Sequence, residues 1–85
     1  MSYILFVPDG KYHYNNEDKL HSSDRPAVEF IDGEKHWFKN GKHHRLDGPA
    51  IENNNRYNLW FIDGYRLSPE RENLLNIWYN KQNKS

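Results

Sequence analysis

The stretch WFKNGKHHRLDGPAIE, residues 37–52, decides how this chain is read. It packs two aromatics, an Asn-Gly, two adjacent histidines, an arginine and an Asp-Gly-Pro into one short run. Three readings compete: a catalytic or metal constellation, a nucleic-acid contact, or one turn of a structural repeat. A partial second copy favours the last. Displaced by 23 residues, Lys19 matches Lys42, His21 matches His44, Asp24 matches Asp47, Pro26 matches Pro49, Ala27 matches Ala50, Val28 matches Ile51 and Glu29 matches Glu52. The same register sets Tyr14 beside Trp37 and Trp60, Phe38 beside Phe61, Asn40 beside Asp63 and Gly41 beside Gly64. A period in the twenties signals stacked hairpins, each unable to bury its aromatic face alone and so leaning on the next.

All five glycines follow Asp or Asn, at Asp9-Gly10, Asp32-Gly33, Asn40-Gly41, Asp47-Gly48 and Asp63-Gly64. Such pairs supply the two positive-φ residues of a type I′ hairpin turn. Between them lie ILFV, AVEFI, HWF and NLWFI, whose β-branched and aromatic side chains suit short strands. The expected fold is α+β: an antiparallel β-meander of 23-residue hairpin repeats over about residues 3–67, with one C-terminal capping helix. Trp37 and Trp60 should then be equivalent and mostly buried, with Phe38 and Phe61 on the opposite side. The end units are atypical: the first has Asp18 where the second has Gly41, and the last breaks off at LSPE.

That break reads as a helix start. Ser68 suits the N-cap, Pro69 the first helical position, and Glu70 and Glu72 the positive end of the helix dipole. The helix is expected over about residues 69–80, with a stripe of Leu74, Ile77 and Trp78, widened by Leu75 and Tyr79, packed on the sheet through Leu74 and Trp78. The polar tail 81–85 is expected to fray, and the chain 1–85 to form a single domain.

Bulk composition narrows the function. An 85-residue domain buries only about 60% of its unfolded surface, which leaves little room for an internal substrate cavity. Twelve Lys and Arg against twelve Asp and Glu exclude the global basic bias of a general nucleic-acid binder. With no cysteine there is neither a disulfide framework nor a thiolate metal site, which suits a reducing cytosol. The run YILFV at residues 3–7 is too short for a signal peptide or a membrane span, so a soluble intracellular protein is expected. Hydrophobic content of 35% with 15% aromatics predicts a thin core of rings.

His43, His44, Arg45 and Asp47 are the residue types a ribonuclease needs for acid–base transfer and phosphate contact. Yet His44 and Asp47 recur at His21 and Asp24, so a part in each unit's turn explains them without catalysis. We expect no catalytic residue. The histidines His13, His21, His36, His43 and His44 lack metal-ligand spacing, and adjacent strand residues point to opposite faces, so no metal and no cofactor are expected. Charge placement is the stronger signal. Residues 35–46 hold no acid but carry Lys35, Lys39, Lys42 and Arg45, interleaved with Trp37, Phe38 and His43. Residues 17–34 hold six acids against Lys19 and Arg25. Cations with rings are what single-stranded RNA readers use, and a polarised surface also steers a protein partner. The candidate contact residues are therefore Lys35, Trp37, Lys39, Lys42, His43 and Arg45; the plainer alternative is solvated hairpin faces around a core Trp37.

The motif W-F-x-N-G-x-x-H-R-x-D-G-P-A resembles the MORN-like repeat variant found in small proteins of tailed bacteriophages. The match covers residues 14–67 and is best at 37–50; in the first unit, HSSDRPA puts Ser22 and Arg25 where the motif has Arg and Gly. The resemblance implies a stacked-hairpin scaffold rather than an activity. It also implies an accessory factor of the host cytoplasm that binds and disables a host enzyme or defence effector, such as the endoribonuclease toxin of a toxin–antitoxin system. Two other readings stay open: a protein that sequesters RNA or a nucleotide signal, and a structural module for self-association.

Overall fold

The computed structural model describes residues 2–53 and 57–82. A six-stranded antiparallel sheet runs in the order β1 (Tyr3–Val7), β2 (Gly10–Tyr14), β3 (Val28–Phe30), β4 (Lys35–His36), β7 (Ile51–Asn53) and β8 (Tyr57–Leu59). Two small ribbons stand off it: β5 (Phe38–Lys39) with β6 (Lys42–His43), and β9 (Phe61–Ile62) with β10 (Tyr65–Arg66). Helix α1 (Pro69–Gln82) follows. The meander is thus real but split, because after each pair of sheet strands the chain leaves to build a side hairpin before returning.

The side hairpins stack like steps. Gly41 donates its amide to the Leu20 carbonyl, and 23 residues on Gly64 donates to the His43 carbonyl. Ser22 and Arg45 likewise donate to the carbonyls of Phe38 and Phe61. Each turn therefore rests on the return strand of the step before it. The turns at Asn40-Gly41 and Asp63-Gly64 have the expected pair of positive φ values. In the first unit Asp18 takes φ 60 in the place of Gly41, a conformation Asp tolerates better than most residues.

The other three Asx-Gly pairs depart from type I′. Gly33 alone is positive at its turn, while Gly10 and Gly48 do not have the positive φ expected of them. Close approach explains Gly10 instead, because a Cβ there would run into the Glu29 carbonyl.

The repeat register also needs one correction. His21 donates to the His13 carbonyl, His44 to that of Trp37, and Leu67 to that of Trp60. His13 and Trp37 in turn donate to the carbonyls of Ala27 and Ala50. The place of the tryptophans in the first unit is thus held by His13, and Tyr14 pairs with Leu20 as Phe38 pairs with His43. The cause is length: the first side hairpin carries one residue more than the others, so the alignment slips by one ahead of it.

The buried core is smaller than a ring-filled one. Ala27, Val28, Pro49, Ala50, Ile51 and Trp60 are buried, which is the repeated Pro-Ala-aliphatic step plus one indole. Trp60 is buried as expected, whereas Trp37 is half-buried.

The helix starts where expected, with the Glu72 amide donating to the Ser68 carbonyl at 2.9 Å and Arg71 reaching Ser68 Oγ at a long 3.4 Å. It runs to Gln82, so Lys81 and Gln82 are helical; the rest of the expected tail lies outside the described residues. It packs through a face rotated from the one expected, which keeps Leu75 and Tyr79 of that stripe and leaves out Leu74, Ile77 and Trp78. Leu74 is 69%, Ile77 57% and Trp78 47% exposed, while Glu72 is buried and Leu75, Asn76 and Tyr79 are half-buried. Specific hydrogen bonds explain this orientation. Glu72 Oε2 accepts from the Trp60 amide, and Asn76 accepts from Trp60 Nε1 while donating to the Asn58 carbonyl. Tyr79 donates to Glu52 and meets the Trp60 ring edge-on. In earlier units the tryptophan-position amide bonds an alanine carbonyl of the next repeat, so a carboxylate replaces the missing unit.

Candidate interaction surface

The RLDGP part of the HRLDGPA segment is arranged around one largely covered cation. Arg45 lies 3.7 Å over the Trp37 ring, and its Nε donates to Asp47 at 2.9 Å. Its Nη1 donates to the Pro49 carbonyl at 3.1 Å and to Glu52 at 2.7 Å. Burial opposes the Arg45 charge, but the bonds from Glu52 and Asp47 outweigh it and hold the guanidinium pKa above its ordinary value. Gly48 leaves room for that group, since a Cβ there would sit 2.6 Å from the guanidinium carbon. The first unit has Ser22 for the arginine and Arg25 for the glycine, so the two substitutions travel together.

The repeated histidines are clamps between steps. Asn40 donates its amide to His21 Nδ1 at 3.0 Å, and Asp63 donates to His44 Nδ1 at 2.9 Å. An Nδ1 that accepts carries no hydrogen, so in the neutral ring the Nε2–H remains as a donor. Both rings line a groove of about 600 Å3 between the loops at 21–25 and 44–47, together with Trp37, Lys39, Arg25 and Ser22. On the other face of the side hairpins His43 sits between Phe38 (4.1 Å) and Phe61 (5.0 Å), centroid to centroid. Its Nε2 is 3.1 Å from His36 Nδ1. Burial, and then the charge on His36, push the His43 pKa below the ordinary imidazole value. His36 Nε2 lies 3.3 Å from Glu34 Oε2, near enough to pair but off the hydrogen-bonding direction.

The six expected contact residues therefore divide. Lys39 and Lys42 face each other across β5 and β6, and both are exposed. Trp37 and Arg45 are stacked on each other, and His43 is half-buried in the ring row. Lys35 is exposed on the main sheet, between Glu29 and Glu52 on its two neighbours. Among the described residues no group of three or more His, Cys, Asp or Glu could hold a metal ion. Among the described residues no helix is long and apolar enough to cross a membrane.

Sequence reasoning missed the outer face of α1. Leu74, Ile77 and Trp78 form an apolar stripe in solvent, with Arg71 three residues before it and Lys81 three residues after. The available signal was Glu72, Asn76 and Tyr79, spaced four and three apart, a second stripe with helical period made of groups that hydrogen-bond. Comparison with family models, with curated proteins and with solved structures finds no match to this chain.

Proposed function

We propose that the chain is a non-enzymatic binding protein that inhibits a host effector, with α1 as the element laid into the partner. The observation that supports this is the outward stripe of Leu74, Ile77 and Trp78 on a helix whose inner face is already fixed by polar bonds. A surface helix has no need of three large apolar residues in water, and such a row is the contact pattern of helix-in-groove recognition. Arg71 and Lys81 at its ends, with Lys39 and Lys42 on the second side hairpin, suit a partner whose groove has an acidic rim. An RNA-cleaving toxin is the class of effector that the repeat motif suggests. The test is co-expression with such a toxin and recovery of the complex. Leu74→Glu with Ile77→Glu should abolish recovery and protection, and Lys39→Glu with Lys42→Glu should weaken both. Recovery that survives the helix pair would overturn the reading.

A second reading rests on the groove between the two loops. Trp37, Lys39, Arg25 and two imidazole N–H donors offer a ring and cations to an RNA or a nucleotide. Titration with a short single-stranded RNA separates the two. Affinity falling with salt at a slope of about 0.7 per phosphate neutralised would favour the groove. Hydrolysis of that RNA lost on His44→Ala would contradict both readings.

A further inference from the structure

The two ends of the sheet are finished differently. At the β8 edge, α1 takes two of the outward-facing main-chain groups, the Asn58 carbonyl through Asn76 and the Trp60 amide through Glu72. At the β1 edge, nothing among the described residues pairs with the strand. Its outward groups follow from alternation in an antiparallel ladder. His13 sends its amide to Ala27 on β3, away from β1, so Ile4 opposite His13 points its own N–H and C=O to the free edge. Phe6, two residues on, does the same.

This edge lacks the charged and proline residues that keep strands apart. YILFV contains no charge and no proline, and Ile4 is 46% and Phe6 73% exposed. Stacked-repeat proteins need a terminating cap at each end, and here only the β8 end has one, the helix. We infer that the protein is a two-fold dimer in which β1 of one chain pairs antiparallel with β1 of a second copy, continuing the sheet through the dyad.

The register follows from the outward groups. Centring the dyad on Leu5 sets Ile4 opposite Phe6 of the second copy, and Phe6 opposite its Ile4, so both residues exchange N–H and C=O on each side. Tyr3 then opposes Val7. Every cross-strand pair is uncharged, and Ile4 beside Phe6 is an aliphatic–aromatic pair of the stabilising kind. A shallow depression of about 360 Å3 next to the strand is lined by Phe6, Val7, Phe30 and Ile31 and by the Lys11–Glu29 ion pair. Because α1 blocks the β8 edge, head-to-tail addition is closed off and the assembly stops at two.

Sedimentation equilibrium of the full chain tests this. The expected mass is twice the 10.3 kDa of one chain, reverting to 10.3 kDa in Phe6→Glu. Ile4→Pro separates strand pairing from mere stickiness, because it removes an outward N–H that makes no bond to β2. It should also yield monomer, with an unchanged circular dichroism spectrum. Hydrogen exchange on the unmodified chain provides a readout independent of any variant: the Ile4 and Phe6 amides should become protected with the concentration that drives dimerisation. A wild type that stays monomeric at millimolar concentration, a dimer indifferent to Phe6→Glu, or species growing beyond two would each overturn the inference.

Discussion

Arg45 and Gly48 have to be considered as one unit, because the side chain of the first occupies the space the second leaves open. Arg45 is mostly buried against Trp37 with acceptors from Asp47, Pro49 and Glu52, so Arg45→Ala should cost on the order of 3 kcal/mol by stranding Glu52 without its cation. Gly48→Ala should cost about 1–3 kcal/mol by displacing the guanidinium. In an Arg45→Ser background the same Gly48→Ala should cost under about 0.5 kcal/mol, since the obstructing group is gone. Urea unfolding of the four proteins measures this coupling. Additive costs would mean that Gly48 is there for another reason. The first unit already carries the paired exchange, with Ser22 and Arg25.

For the elements, α1 is the informative case. An isolated helix of this length is marginal in water, so its bonds to the sheet hold it in place. Glu72→Gln should lower stability by about 2 kcal/mol, through weaker bonds to the Trp60 amide and to Arg66. Trp78→Lys should change stability by no more than about 0.5 kcal/mol, because that side chain faces solvent. Thermal melts distinguish them, and a large loss from Trp78→Lys would mean that the stripe is packed after all. The start of α1 was legible in Ser68 and Pro69, and the stacking was legible in the 23-residue recurrence. Which face of the helix packs inward was not, since hydropathy treats Glu72 and Asn76 as solvent-seeking while unpaired groups at Trp60 and Asn58 demand them. The slip at His13 was equally hidden, because one extra turn residue leaves Tyr14 aromatic and the alignment apparently intact. For the contact surface, the charge of Arg45 was visible in the sequence, but the ring and acceptors that occupy it were not.

Across the whole molecule, protonation should loosen the fold in two stages. His13 and His43 are held below the ordinary imidazole pKa, in both cases by burial first; the cations Lys11 and Arg25 add to this at His13 and His36 at His43. The unfolded chain then binds these protons more readily, so this stability is present above about pH 6.5 and is lost as pH falls from there through the lower folded-state pKa values. Glu34 and Glu72 are depressed below the ordinary carboxyl range, chiefly by the bonds from Asn53 and Arg66 respectively. Their contribution is present above about pH 4.3 and lost below it. Urea midpoints at pH 7.5, 5.5 and 3.5 should fall in two steps, the upper flattened by His43→Gln and the lower by Glu72→Gln. A single step at carboxylate pH in the wild type would show that the histidines contribute nothing.

Because Glu72 presents to Trp60 the same kind of acceptor that Ala50 presents to Trp37, the cap does not depend on how many steps precede it. Length in this architecture is therefore a number that recombination can change without redesign. Duplicating residues 28–50 in tandem should yield a taller protein with both ends preserved, and a gene that gains or loses 69 nucleotides in frame at this place would still encode something that folds. A lineage using such a scaffold can adjust its reach by copying, leaving the terminating helix and the starting strand untouched.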